Sequence, residues 1–294
     1  MESILSCPVC NGIRFSLFLQ CEDFTTTHDK FNLTRCETCH FVFTNPRPRQ
    51  EEIDKYYQSD KYISHTGRKK NATDFLYLLA RKKTLKTKRK IIELNSTGKS
   101  LLDFGCGTGE FLKEMNNNGY KTFGVEPSAT AREKAINLKA GKITEDQSEL
   151  VEKKFDVITL WHVLEHIHDI SGSLQKFQQL LKDSGTIFIA VPNLKSPDAQ
   201  HYKSYWAGYD VPRHLWHFSQ SDMKILLQEN GLKLVTVLPM RLDAYYVSLL
   251  SESYKNPNRF KLLNYFFAFI KGLQSNTMAR KNLNFSSLIY IVRK

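Results

Sequence analysis

The sequence predicts an α/β fold: an open sheet of buried strands with helices between them, a small cysteine-rich module in front, and a helical insertion before the last strand. Three observations carry this prediction. The run Leu101-Leu102-Asp103-Phe104 leads into Gly105-Cys106-Gly107-Thr108-Gly109 and a helix from about Glu110, a strand–turn–helix pattern. Further apolar runs at Tyr120–Glu126, Phe155–Leu160, Thr186–Val191 and Leu232–Leu238 alternate with helical stretches. Two Cys-x-x-Cys pairs stand within the first forty residues.

At 294 residues the chain is long enough for one large core and a small accessory module. Its 41% hydrophobic and 24% charged residues are ordinary for a globular protein. It has no basic-then-apolar leader and no apolar run of membrane-spanning length, so the expected compartment is the cytoplasm, with peripheral contact at the inner membrane surface left open. The formal charge of +12 is concentrated. Lys61–Lys99 carries twelve Lys or Arg against two acids, and Ser253–Lys294 carries eight and no acid. Such a basic surface attracts nucleic acid, acidic lipid or a phosphorylated small molecule, or is simply a solvated face.

Taken in order, Cys7-Pro8-Val9-Cys10 and Cys36-Glu37-Thr38-Cys39 enclose twenty-five residues. Four thiolates in two close pairs suit a tetrahedral structural zinc site in a ribbon of about residues 1–48, with disulfides as the rival use. So small a module needs the metal to fold. Cys21 reads as a small buried hydrophobe and His40 as a surface residue. Residues 49–98 read as a linker with lid and lead-in helices. Pro46 and Pro48 break the chain, Tyr56, Tyr57, Tyr62 and Ser64–Gly67 suggest either a lid or aromatic packing between ribbon and core, and an amphipathic lysine-rich helical stretch runs from Asn71 to Leu94.

Residues 99–294 form the expected core. Glycine in the turn lets backbone approach a ligand closely, and Glu126 at the end of the second strand is placed to accept hydrogen bonds from a ribose diol. A short third strand is expected near Gly141–Thr144, followed by Glu145 and Asp146. The fourth strand, ending at Leu160, is followed by Trp161, His162, Glu165, His166 and His168. A helix over Ser171–Leu181, a turn at Asp183-Ser184-Gly185 and the fifth strand follow. Tyr202, Tyr205 and Trp206 are an aromatic set suited to walling a substrate pocket, and Ser219 caps a helix over Gln220–Glu229. The insertion, about 239–284, contains an aromatic and basic helix over Arg259–Leu273 that either lies on a membrane, caps a greasy substrate or packs on its neighbour.

The D-F-G-C-G-T-G turn, the later G-V-E-P-S and the F-D-V-I-x-x-x-x-V-L-E-H run resemble, in order, motifs of the class I S-adenosylmethionine-dependent methyltransferases. A nicotinamide enzyme is the nearby alternative, but its third glycine falls one residue later. The resemblance implies a Rossmann-like seven-stranded sheet whose last strand, Phe285–Val292, is antiparallel between neighbours. It implies that Asp103, Gly105, Cys106, Gly107, Glu126, Asp146 and Leu160 bind the cofactor. The arrangement of zinc ribbon, core and P-R-H-L-x-H-F-S is similar to that of sugar C-methyltransferase-like and ubiquinone-biosynthesis-like methyltransferases. Those relatives imply catalytic histidines at His166 and His214, although Arg213 replaces a glutamate of that pattern and Val211 a tyrosine. His214 is the expected base or orienter, with His166 and His162 beside it, and Arg213 is expected to bind a phosphate or carboxylate of the acceptor.

The expected function is methyl transfer to a small-molecule acceptor, a sugar, lipid or other secondary metabolite of anionic or lipid-like character. The rivals are an RNA base methyltransferase, against which the missing N-P-P-Y-type tetrapeptide speaks, and a zinc-bearing binding protein without catalysis.

Overall fold

The computed structural model describes residues 1–57, 72–150 and 153–294, with residues 72–80 described as helix backbone. The expected lid around Tyr62 and Ser64–Gly67 lies outside the described residues, as do the side chains of Phe75, Leu78 and Leu79.

The chain opens with strands β1 (Phe15–Glu22), β2 (Lys30–Cys36) and β3 (Val42–Thr44), then a 3-10 turn over Gln50–Tyr57 and helix α1 (Ala72–Asn95). The core follows as β4 (Ser100–Phe104), α2 (Glu110–Asn116), β5 (Lys121–Val125), α3 (Ala129–Asn137), β6 (Lys142–Thr144), β7 (Phe155–Trp161), α4 (Ile170–Leu180) and β8 (Leu181–Pro192). It continues with α5 (Pro197–Tyr202), β9 (Trp216–His217), α6 (Gln220–Glu229) and β10 (Lys233–Pro239). The insertion contributes α7 (Asp243–Lys255) and α8 (Lys261–Ala279), and β11 (Ser287–Arg293) ends the fold.

Seven strands form one sheet in the order β10-β11-β8-β7-β4-β5-β6. Strands β4 to β8 run parallel, and β11 is antiparallel between β8 and β10. The central strands read as continuous apolar runs because both faces are covered. Leu102, Ile158, Ile187 and Ile189 point to a layer containing α4 and α6, whereas Leu101, Val157, Phe188 and Ala190 point to one containing α1 and α2. Strand order reverses at β4, which pairs with β5 on one side and β7 on the other. The carboxyl ends of β4 and β7 therefore open the crevice where such sheets bind ligands.

The four-stranded second sheet, order β1-β2-β3-β9, is not built from the amino-terminal segment alone. Its last strand comes from the P-R-H-L-W-H segment, with Val42 opposite His217 and Phe43 opposite Trp216. Phe41 stacks near Trp216 and Phe218, and Cys7, Cys36, Phe41 and Phe43 share a buried cluster with Leu102 and Phe155 of the main sheet.

Two elements differ from the sequence prediction. Asp183-Ser184-Gly185 lies within β8 rather than in a turn before it. Phe155 pairs with Leu181 and Val157 with Thr186, so the extra residues bulge from the ladder. The aromatic helix runs from Lys261 to Ala279, further than Arg259–Leu273, because its small residues Ala268, Gly272, Ser275 and Ala279 form a buried strip along its whole length. At Gly272 a Cβ would lie 2.6 Å from the Tyr245 ring, so glycine sets the close approach of α7 and α8.

Candidate active site

The glycine turn after β4 is shaped by position-specific demands. Gly105, Gly107 and Gly109 all have positive φ (70°, 53° and 78°), the left-handed region that favours glycine. A Cβ on Gly105 would also lie 2.6 Å from Val163, whereas one on Gly107 would meet nothing within 4 Å. Gly107 thus presents bare backbone to open space. Glu126, just past β5, folds over this turn: Oε2 accepts from the Gly107 amide at 2.7 Å and Oε1 from the Ser128 amide at 2.9 Å. A carboxylate has capacity for further donors beyond these two.

Asp103 sits at the carboxyl end of β4, 3% exposed, with Oδ1 accepting from the Thr159 hydroxyl at 2.6 Å. Burial pushes its carboxyl up to about 7, against the opposing pull of Thr159 and Lys88, while Glu126 adds to the rise. Lys88, on α1, lays its ammonium 4.3 Å from the centroid of the Trp161 ring. Burial pushes Lys88 down to about 8, countered by the charges of Asp103 and Asp243. Trp161 Nε1 and, beyond β6, Gln147 Oε1 are buried polar atoms with no hydrogen-bond partner. Orphaned groups of this kind call for a ligand.

The remaining residues expected at the cofactor divide. Cys106 is buried in the layer under the turn, its Sγ 2.6 Å from where a Cβ on Gly124 would stand, and burial pushes its thiol up. Asp146 is exposed beyond β6 and accepts from the Ser148 amide at 2.6 Å; the Ser148 hydroxyl first, and its amide second, hold the carboxyl below the usual range. Leu160 is a correction: its side chain is fully buried in the sheet layer, and the residues that emerge at that strand end are Trp161 and His162.

Beyond this crevice the loop after β7 meets the segment 210–217. His162 has φ 58° and is clamped between two acids, with Nδ1 3.3 Å from Glu165 Oε1 and Nε2 3.1 Å from Asp243 Oδ2. Burial opposes its charge, but the bonds to Asp243 and Glu165 win and raise it to about 9. His162 is therefore a held cation at neutral pH and not a free base, which corrects its expected role. His166 and His214 are different. His166 Nδ1 donates to the Arg213 carbonyl at 3.0 Å, with the Tyr57 hydroxyl 3.0 Å from the same nitrogen. His214 Nδ1 donates to the Gly208 carbonyl at 2.9 Å. The two rings meet edge to face with centroids 4.6 Å apart. Burial, with His214 adding to it, pushes His166 down to about 4.

Arg213 is not turned to an acceptor. It is 1% exposed and its guanidinium bonds Asp210 at 2.7 and 3.0 Å, Asp23 at 2.9 Å and the Tyr56 carbonyl at 2.8 Å. Asp23 also accepts from the backbone amides of Thr25, Thr26 and Thr27. Arg213 thus bolts the β1–β2 loop to the histidine segment, and a free phosphate-binding role is corrected to an internal tie. Tyr202 and Trp206 are likewise buried, their polar atoms spent on Glu252 and Asp198; Tyr205 alone of that aromatic set is exposed.

The four cysteines converge as expected. Cys7 Sγ lies 3.6 Å from Cys39 Sγ and Cys10 Sγ 3.6 Å from Cys36 Sγ, and all six cysteines are free. These spacings are far from the ~2.05 Å of a disulfide. They match the sulfur–sulfur edge of about 3.8 Å that follows from tetrahedral Zn–S bonds of ~2.3 Å. A Cβ on Gly12 would crowd Thr38 Oγ1 and both Cys36 and Cys10 sulfurs, so the cradle is closed around that centre.

Sequence reasoning missed Glu165, Asp243, Lys88 and Gln147 as members of the site. Glu165 stands beside His166 in the L-E-H run and was legible there, whereas Asp243 reaches His162 across 81 residues with no local signal.

The profile of a family described as methyltransferase domain matches residues 73–237, more than half of the chain. Among curated proteins, a ubiquinone biosynthesis O-methyltransferase of Pelagibacter ubique is 30% identical over 186 residues, covering 58% of this chain and 75% of that protein. Proteins of the same description from Pseudomonas syringae and Rhodopseudomonas palustris are 31% and 28% identical, and the chain spans 53% and 41% of their lengths. Among solved structures, magnesium protoporphyrin IX methyltransferase from Synechocystis, with bound S-adenosylhomocysteine, aligns with TM-score 0.53 at 13% identity. It covers 82% of this chain and 98% of that one. A SAM-dependent methyltransferase from Archaeoglobus fulgidus aligns at 0.50 and 19%, covering 73% and 94%. With the glycine turn, Asp103 and Glu126 at the switch point of a seven-stranded sheet, the chain belongs to the class I S-adenosylmethionine-dependent methyltransferases.

Proposed function

We propose that this chain transfers the methyl group of S-adenosylmethionine to a small-molecule acceptor held between the β7 loop and the segment 210–217. The observation that carries this reading is the adjacency of two unlike half-sites: a glycine-and-carboxylate crevice at the switch point, and a pair of histidines with free Nε2 atoms one loop beyond it. The bound cofactor supplies an electrophilic methyl carbon on a sulfonium.

The residues fit that cofactor. Asp103 suits the ammonium of its amino-acid end, Glu126 the ribose hydroxyls, and Asp146 with the orphaned Gln147 Oε1 the adenine edge. Held by Asp103 and Glu126, the cofactor would present its methyl carbon toward the acceptor's lone pair. Catalysis of a methyl displacement is mainly alignment. His214, beside His166, orients the acceptor; His162, already cationic, orients the loop through Glu165 and Asp243. Incubation with labelled methyl donor and fractionated extract tests the reading. Label is expected in small molecules, and label confined to RNA would favour the rival nucleic-acid reading.

We assign the four cysteines a structural zinc ion. Its role is to pin the segment before β1 to the β2–β3 turn so that β3 can pair with β9, which places His214. Metal analysis is expected to return one zinc per chain, lost on Cys7→Ser with Cys36→Ser.

The outer face of α8 supports a lipid-facing role. Leu262, Phe266 and Phe269, with Phe260 just before the helix, are each more than half exposed, and Lys261 stands among them. No helix among the described residues is long and apolar enough to cross a membrane. An exposed apolar helix face with a cation at its start suits the headgroup boundary of an anionic bilayer. Co-sedimentation with phosphatidylglycerol vesicles, reduced by Phe266→Ser with Phe269→Ser, is the expected result.

A further inference from the structure

We propose that Glu165, His166 and His214 hold one divalent transition-metal ion, and that this ion binds the acceptor through an oxygen atom. Among the described residues, these three and the four cysteines are the groups whose metal-ligating atoms converge within 4.8 Å of one another.

Three features point to a cation. Glu165 is 0% exposed; its Oε1 is shared with His162, while Oε2 is buried and has no hydrogen-bond partner. An unpaired buried carboxylate oxygen is costly, and a cation is the partner that relieves it. The second feature is tautomeric. A carbonyl only accepts, so the contacts of His166 Nδ1 with the Arg213 carbonyl and of His214 Nδ1 with the Gly208 carbonyl favour the Nδ1–H tautomer, which leaves a lone pair on each Nε2. A ring fixed by a carbonyl on one nitrogen and open on the other is the usual setting of a metal-ligating histidine. Third, the groups are fixed from outside: the Leu215 amide donates to the Glu165 carbonyl at 2.8 Å, and Arg213 anchors the segment through Asp23 and Asp210.

Ligand atoms about 2.1 Å from one ion are at most about 4.2 Å apart, so the set needs an inward adjustment of under about 1 Å. Two imidazoles and one carboxylate favour manganese, iron, cobalt or zinc over magnesium or calcium, and leave coordination positions open. The cationic His162 beside Glu165 opposes the ion's charge; Asp210, with Oδ2 3.9 Å from His214 Nε2, favours it. The open positions suit a hydroxylated acceptor, whose O–H is made more acidic by coordination. Its proton then leaves to solvent, the oxygen–carbon bond forms as the sulfur–carbon bond breaks, and the histidine lone pairs hold the ion rather than taking the proton. Ion binding stands independently; its service to an acceptor rests on the methyl transfer proposed above.

The test is manganese titration of the full chain carrying one equivalent of zinc, held at the four cysteines, followed by the electron paramagnetic resonance signal of free aqueous Mn2+. One site per chain is expected, weakened at least tenfold by Glu165→Gln and by His214→Ala, with cofactor affinity by calorimetry within about threefold of wild type as the measure of intact folding. Should either variant lose cofactor affinity, cobalt added to the wild-type zinc-loaded chain decides: weak bands of a nitrogen–oxygen site, without thiolate charge transfer, support the proposal, and their absence overturns it. No manganese binding by wild type, or equal binding by both folded variants, overturns it as well. Methyl transfer that persists undiminished after a chelator has removed the added ion but not the zinc overturns the acceptor role and leaves the methyltransferase reading standing. Manganese binding without methyl transfer to any small molecule does the reverse.

Discussion

The two half-sites are built in opposite ways. The cofactor crevice is assembled by neighbours in sequence: Asp103, the glycine turn and Glu126 lie within 24 residues, and the longest tie among them, Gly107 to Glu126, spans 19. The histidine cluster is assembled by distance. Asp23 reaches Arg213 across 190 residues, Thr44 reaches the His214 carbonyl across 170, and His162 reaches Asp243 across 81. In the proposed reading, the donor is held by a local motif, and the acceptor by a module, an insertion and a core loop that meet.

The largest expected effects break one half without the other. Asp103→Ala removes the buried carboxylate proposed to face the cofactor's ammonium, and Gly105→Val adds a side chain where φ is positive and a Cβ would stand 2.6 Å from Val163. Cofactor affinity is expected to fall at least 100-fold in each, read by calorimetry; unchanged affinity would contradict the crevice assignment. In the other half, Arg213→Met leaves Asp23 and Asp210 without their cation. It is expected to destabilise the fold by about 3–5 kcal/mol, as breaking a buried ion cluster does. Denaturant melts check this, and a variant that stays stable but fails to bind an anionic acceptor would restore the role expected from sequence.

A smaller effect sharpens the comparison through pH. The Asp103 carboxyl is raised to about 7 in the free chain, and a bound ammonium favours its ionised form. Cofactor affinity is thus expected to be near its full value at pH 7 and to fall by up to tenfold per unit as pH drops toward 5, with proton release on binding. Lys88→Met removes a charge that favours the ionised carboxyl, so the midpoint moves to higher pH. Calorimetry in buffers of different ionisation enthalpy reads both; a pH-independent affinity would show that Asp103 is ionised throughout. Smallest is the response of the crevice to loss of the ribbon. Cys36→Ser is expected to release zinc and loosen the β3–β9 pairing, reducing methyl transfer, while cofactor affinity changes by less than about threefold.

The same contrast explains what was legible in the sequence. The glycine turn, the Ser219 cap and the cysteine pairs announce themselves within a few residues, whereas the antiparallel last strand follows from the resemblance. The pairing of β3 with β9 is written nowhere locally, since Trp216-His217 reads as loop until Phe43 and Val42 lie beside it. Arg213 looked like an exposed anion binder because its partners stand at 3 and 190 residues' remove, the latter outside any pattern. His162 looked like its neighbours until Asp243 at the head of α7 made it a cation. Asp183-Ser184-Gly185 has turn chemistry, yet the β7 register absorbs it as a bulge.

The central claim is that a local donor half-site and a long-range acceptor half-site are separate parts of one methyltransferase. Its most direct test measures His214→Ala twice: cofactor affinity by calorimetry, and label transferred from S-[methyl-3H]adenosylmethionine into the small-molecule extract. The account predicts affinity within about threefold of wild type and transfer lost. Wild-type transfer undiminished in the variant, or loss of cofactor binding together with transfer in a folded variant, would contradict it.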